Sequence, residues 1–469
     1  MDIFNALQTA VSGLQAQSYA LNNISGNIAN SQTTGFKRVD TNFVDMVGEQ
    51  PANQQVSGAV GAFSRLTNNV QGGLLATGIP TNMALSGNGF FTVQSKSGDA
   101  VGQPTLSPTP RYTRRGDFQS DSQGYLVNGS GAYLTGQNFD PRTGQSTGMG
   151  PIKISTAALP AKATTSITYA ANLPQVPATA NAKGGDSDGT LLKTLGGTAI
   201  ASPLPTVSGK LSPEFQTKTL SGGEMTVYSV TGAPVTLQLR WAKLADANPS
   251  ATPATADKWN LFYLSNSKVP ATDDTATTGV DESAATAWTN IGIDFNFTSG
   301  ILAPPVDPKI TNLTVDGVKV NDSVALNIFK NSVTQYASTE GTVRTDTAVQ
   351  DGFASGSLTA LSVSAEGKIV GTYSNGNSAV VAQAGIVQFK DPNALKADTS
   401  GNYSATLASG DPLTGLNGTV VAGGQIEQSN TDVAGEFSKM IVTQQAYSAN
   451  TRVMSTAQTM MSDLINIIR

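Results

Sequence analysis

Cysteine and histidine are both absent from the 469 residues. Without Cys there are no disulfides and no thiolate metal sites. Without His the commonest general base, metal ligand and triad base are missing as well. Carboxylate or lysine chemistry remains, but no pair of carboxylates stands out, so no enzyme, cofactor or metal site is expected. Charge is scarce too: Asp, Glu, Lys and Arg make up 13% of the chain, about half the usual share of roughly 25%. The 28 basic and 33 acidic residues leave a net charge of −5, which gives no electrostatic reason to bind nucleic acid or an anionic membrane. No run approaches the ~18 apolar residues of a membrane span, so no insertion is expected. No Lys or Arg precedes Lys37 and no apolar stretch follows a basic start. The chain therefore reads as cytoplasmic, or as exported without a cleaved signal peptide.

What is present divides into helical ends and a β-rich middle. The 48 glycines and 22 prolines, with abundant Thr, Ser and Asn, point to many short strands and turns. From Phe4, the positions Leu7, Val11, Leu14, Ser18, Leu21, Ser25 and Ile28 alternate by three and four, a heptad seam. The same spacing runs from Val433 through Phe437, Met440, Gln444, Tyr447, Thr451, Met454, Gln458, Met461, Ile465 and Ile468. One line of it, Val433, Met440, Tyr447, Met454, Met461 and Ile468, is fully apolar. Asp432 and Glu436 stand where a helix start favours anions. At ~1.5 Å per residue this helix would span roughly 50 Å.

Between the ends the period is two. Ile167, Tyr169, Ala171 and Leu173 alternate with polar or small residues, as do Val235, Leu237, Leu239 and Trp241. Trp259, Leu261 and Tyr263, then Ile291, Ile293, Phe295 and Phe297, continue the pattern of half-buried strands. Asn375-Gly376 between two such runs signals a hairpin. Residues 174–225 and 244–257, rich in Pro, Gly, Ala, Ser and Thr, read as loops.

Motifs with a chemical ring have plainer readings. "SGNGFF" at 86–91 has Gly87 and Gly89 but neither the third glycine of a dinucleotide fingerprint nor a P-loop lysine, and reads as a tight turn. "DSDG" at 186–189 and "TDDTATTGVDE" at 272–282 do not fit EF-hand spacing and read as solvated loops. Arg115-Gly116-Asp117 is an adhesion tripeptide by letters, and Gly116 more plausibly serves a turn. The asparagines are harder to explain. Asn23, Asn27 and Asn30 share one helical face beside Leu21, Ile24 and Ile28. Only Asp2 is charged in the first 36 residues. Neutral amides suit a face that meets copies of itself, where like charges would repel.

These residues carry a resemblance. "NNISGNIANSQTTGFKR" (22–38) and the stretch from Gln425 to Arg469 resemble the terminal signatures of the bacterial flagellar rod and hook axial proteins. "QGGLLATGIPTNMALSGNGFFTV" (71–93), "RYTRRGDF" (111–118) and "GYLVNGSGAYLTG" (124–136) resemble the family's inner β domain. This places Gly87, Gly89, Phe90, Tyr112, Arg114, Gly116 and Phe118 in its turn and strand motif. Residues 163–174, 226–241, 259–263, 295–302 and 351–376 resemble the hook branch, with its inserted outer domain. Thr81-Asn82 and "YSVTG" at 228–232 depart from the family's Leu-Asp-like pair and its "YDsxG".

The resemblance implies an α+β fold: long terminal helices forming a coiled-coil-like base, with mainly-β inner and outer domains between them. It divides the chain into a helical assembly domain (1–30 and 430–469), a linker (31–75), an inner β domain (76–165 and 346–429) and an outer one (166–345). It implies an extracellular subunit of the flagellum, polymerising into a flexible curved tube that joins basal-body rod to filament. The distal rod protein, the hook-cap scaffold, the hook–filament junction proteins and the type III export apparatus become expected partners. A distal rod protein would lack the outer domain. A secreted β-rich adhesin would not explain the paired heptad ends.

Overall fold

The computed structural model describes residues 3–46, 59–100, 103–183, 190–200, 204–248, 250, 255–272, 281–303, 308–328 and 332–468. The acidic stretch 186–189 and residues 273–280 of the second one lie outside them. Two long helices carry the ends, α1 (Ile3–Ala29) and α2 (Val433–Ile468), and the regular structure between them is almost all β. The fold class is α+β. Among the described residues no helix is long and apolar enough to cross a membrane.

Helix α1 stops where the sequence lets it: the Asn30 N–H still bonds to the Gly26 carbonyl, and Gly35 then takes φ +68° to turn the chain away. Helix α2 starts where Asp432 Oδ1 accepts the Ala434 N–H at 3.2 Å, with Glu436 in its first turn. Within the segment read as a linker, β1 (Val39–Met46) and β2 (Ala59–Leu66) pair antiparallel in full register, Val39 opposite Leu66 and Met46 opposite Ala59.

The chain forms two compact units, Met1–Ala157 with Leu358–Arg469, and Ala158–Ser357. The first is built from both sides of the second. Its strand Ala132–Phe139 pairs with Ser378–Ala384, Phe90–Ala100 pairs with Ile386–Gln388, and Met83–Ser86 pairs with Val420–Gly423. Met83, Phe91, Phe118, Leu134, Ile369 and Ile386 meet in its core. Phe90, Tyr112, Phe389 and Tyr403 form a second, aromatic cluster, their rings packed edge to face. The Asn375-Gly376 hairpin joins Lys368–Tyr373 to Ser378–Ala384, with Gly376 at φ +78°.

In the second unit, Leu220–Tyr228, Pro234–Ala245, Asp257–Leu264 and Thr286–Thr298 lie side by side, each antiparallel to the next. One face of this sheet buries Trp241, Trp259, Leu261 and Phe295. The period-two pattern describes that face alone. From Trp259 to Tyr263 every residue is buried, because the opposite face is also covered. A short helix, Ser212–Thr217, sets Phe215 against Phe262 (4.9 Å between ring centroids) and Trp288 (5.6 Å). That helix and the strand from Leu220 fall in the stretch expected to be loop. At the departure in "YSVTG", Ser229 Oγ accepts from Thr231 N–H and Ala233 N–H, so a hydroxyl closes the turn.

The two crossings of the second unit run side by side. Leu159 bridges to Gly356 and Lys162 to Phe353, both antiparallel. The Asp351 carboxylate then accepts Thr165 N–H (2.8 Å), Ser166 N–H (2.8 Å) and Thr165 Oγ1–H (2.6 Å), and pairs with Lys162 Nζ at 3.0 Å. Burial alone would raise its pKa, but these donors bring it down to about 2.

Candidate assembly surface

Helices α1 and α2 pack against each other. Asn27 Nδ2 donates to Glu436 Oε2 at 2.9 Å. Gly13 lies so close to Asn450 that a Cβ there would sit 2.8 Å from Asn450 Nδ2. Residues 13 and 27 are as far apart as 436 and 450, so the helices are antiparallel in constant register. The line of α1 that is buried is Ala10, Gly13, Ala16, Ala20, Ile24 and Asn27. Small side chains let the backbones approach; the heptad line of large residues would hold them apart. Leu7, Leu14, Leu21 and Ile28 therefore lie on the flank, half-buried, with Val11 exposed. On α2, Glu436, Thr443 and Ala457 are buried, and Met440, Asn450, Met454 and Met461 are half-buried.

The other flank of α1 carries the β1–β2 ribbon. The Val60 N–H bonds to Ser12 Oγ at 3.3 Å, Tyr19 Oη and Ser64 Oγ lie 2.7 Å apart, and Asn23 Nδ2 donates to Thr41 Oγ1 at 2.8 Å. Asn27 holds the Val39 backbone at both ends, accepting its N–H (2.8 Å) and donating to its carbonyl (3.0 Å). Asn30 donates to the Gly26 carbonyl and accepts from Thr33 Oγ1. The amide stripe is thus engaged within the chain: these side chains fasten the ribbon and finish the helix.

Below the helix pair sits a buried ionic node. Glu427, just before α2, takes Lys37 Nζ on Oε1 at 2.5 Å and Arg114 on Oε2 at 3.2 Å, and all three side chains are at most 1% exposed. Lys37 also donates to the Val70 carbonyl (2.6 Å), and the Gly72 N–H reaches Glu427 Oε1 at 2.9 Å. Arg114 donates to the Leu85 and Gly87 carbonyls and stands 5.1 Å above the Phe90 ring. Burial lowers the pKa of both cations, and the Glu427 charge opposes that shift. One carboxylate thereby ties the exit of α1, the segment after the ribbon, and the β core to the entry of α2. Asn430 adds to the tie, accepting the Arg38 N–H at 2.7 Å and donating to Thr67 and Val70.

Four family profiles match along this architecture. They are described as flagella basal body rod protein (residues 7–37), flagellar hook protein FlgE/F/G D1 domain (84–172), flagellar basal body protein FlaE D2 domain (196–353) and flagellar basal body rod FlgEFG protein C-terminal (422–467). The profile at 196–353 falls inside the inserted second unit. The flagellar hook protein FlgE of Brucella suis biovar 1 (strain 1330) is 28% identical over 476 residues, covering 100% of both chains. Those of Escherichia coli K12 (27%, 98% of this chain and 100% of that one) and Salmonella typhimurium LT2 (28%, 98% of each) align as fully. The chain belongs to the flagellar hook protein family. The crystal structure of Helicobacter pylori flagellar hook protein FlgE2 shares the fold, with TM-score 0.50 and 14% identity over 74% of this chain and 98% of that one.

In this hook-family chain the inner motif residues are interior parts. Gly87 takes φ +117° ahead of the strand from Phe90. Gly116 is pressed so close to the Met83 carbonyl that a Cβ would overlap it. Phe118 packs edge-on to Phe91 at 5.4 Å, and Tyr112 to Phe389 at 4.8 Å. The adhesion-like tripeptide is closed on itself, with Arg115 Nε 2.8 Å from Asp117 Oδ1. Of the α2 line, Val433, Phe437, Tyr447 and Ile465 are exposed; of Ile468 only the backbone is described. Lys37 and Glu427 have no local pattern that marks them as partners, since 390 residues separate them.

Proposed function

We propose that this chain is the structural subunit of the flagellar hook: not an enzyme, but a protein that polymerises into a curved, flexible tube joining rod to filament and transmitting torque. One observation carries the reading. The flank of the helix pair opposite the ribbon is mainly apolar, with Arg452 and Asp463 of α2 at its edge, and no other described residue of the chain covers it. It offers Val433, Phe437, Ile441, Tyr447 and Ile465, between 39% and 58% exposed, beside Leu7, Val11, Leu14, Leu21 and Ile28 of α1. Exposed apolar patches of this extent mark interaction sites. Its α1 side, which has no charged residue, suits contact with identical copies.

On this reading the helix pair is the coiled-coil-like base of the subunit, and 76–165 with 346–429 and 166–345 are its inner and outer β domains. The subunit leaves the cell through the flagellar type III export apparatus without a cleaved signal. It meets the distal rod protein, the hook-cap scaffold and the hook–filament junction proteins at the tube's ends. Expression of the tagged chain in a strain lacking its own hook protein tests the reading by electron microscopy. Curved hooks bearing the tag are expected. Secreted chain that restores no hook would overturn it.

A further inference from the structure

The base of the subunit has two dissimilar apolar surfaces. The first is the bare helix flank. The second is the outer face of the ribbon, where Val44 and Met46 of β1 and Phe63 of β2, which the register puts on one face, are between 48% and 59% exposed. They point away on different sides. Ser12 and Leu14, or Tyr19 and Leu21, are two residues apart on α1, roughly 160° around its axis. The ribbon is bonded to Ser12, Tyr19 and Asn23, while the leucines lie on the bare flank. Helix α2 follows the same division: Lys439 reaches Asp40 of the ribbon at 3.3 Å, and Phe437 and Ile441, about 160° from it, lie with the leucines.

We infer that the ribbon of one subunit packs on the bare helix flank of the next. This inference rests on the polymer reading above and adds which surface meets which. Three features support the pairing. Neither surface can satisfy the other within one chain, because they face apart. Along α1 the flank carries no charge, and on α2 the charge nearest Ile441 is Arg452, about 20° around the helix and opposite in sign to the ribbon's Asp40 and Asp45. A contact between two different patches on opposite sides of one body is head-to-tail, and repetition of such a contact gives an open helical filament, whereas a self-complementary patch closes a dimer.

The test uses two full-length variants altered only at exposed positions. One carries Val44→Glu with Phe63→Glu and keeps the flank intact. The other carries Phe437→Glu with Ile441→Glu and keeps the ribbon. Circular dichroism checks that both retain the fold, and analytical ultracentrifugation is run where the unaltered chain polymerises. Each variant alone is expected to stay monomeric, and an equimolar mixture is expected to give a one-to-one pair that grows no further. Self-association of the ribbon variant would show flank meeting flank. A mixture that stays monomeric, or either variant forming tubes, would equally overturn the inference while leaving hook polymerisation standing. An unaltered chain that never polymerises would instead remove the proposed function, and this inference with it.

Discussion

Among the described residues Glu427 is the only anion paired with Lys37 and Arg114, so its removal is expected to be costly beyond one hydrogen bond. Glu427→Gln would leave two buried cations with no counter-charge, and breaking a buried pair in this way costs about 3–5 kcal/mol. Chemical denaturation should show the loss, and limited proteolysis should cut near 424–432 as the helical ends undock. Asp351 gives a second expectation, with a definite sign. Its folded pKa of about 2 lies below the ordinary 3.8, so its contribution is complete above roughly pH 4 and is lost as pH falls toward 2. Melting of the second unit should therefore soften over that interval, and Asp351→Asn should be less stable at neutral pH and flatter in acid. Neither residue was legible in the sequence. A carboxylate shows its worth only through what folding brings to it, and Arg114 was visible merely as a member of a motif.

Among elements, the two terminal helices were readable from spacing, and their faces were not. Period 3.5 fixes which residues share a line, but the largest apolar side chains are no guide to which line packs first. Here Ala10, Gly13, Ala16 and Ala20 meet α2, and the leucines remain for another partner. Gly13→Leu should separate the helices around Asn450 and cost about 1–3 kcal/mol of stability through overpacking, read as a lower melting temperature. Gly13→Ala asks only that the Asn450 side chain move, and should be mild. Met454→Asp places a carboxylate on the half-buried side of α2, at a cost of several kcal/mol in each subunit. Secreted chain without hooks is the expected result. Normal swimming with Met454→Asp would remove this line from the assembly. The strands of the second unit were readable on one face; the covering helix at 212–217 sits in a Pro- and Ser-rich stretch whose composition resembles loop.

For the whole molecule, the paired crossings at Leu159–Gly356 and Lys162–Phe353 make the second unit separable in principle. A chain joining residue 157 to 358 through a short Gly-Ser link should keep the first unit's sheet and the helix pair, and should still form tubes with altered stiffness; negative-stain microscopy and thermal melting would report both. Absence of polymer from a folded, secreted deletion would assign assembly to the removed unit. The interleaved pairing of the first unit also sets a timetable. Strands at 83–139 wait for partners at 378–423, and α1 waits for α2 at the very end of the chain. A chain delivered N-terminus first through a narrow passage would then have its insertion complete while the surrounding sheet still lacked half of its strands. The pairings that span the insertion would close in one late step, after the last hundred residues had emerged.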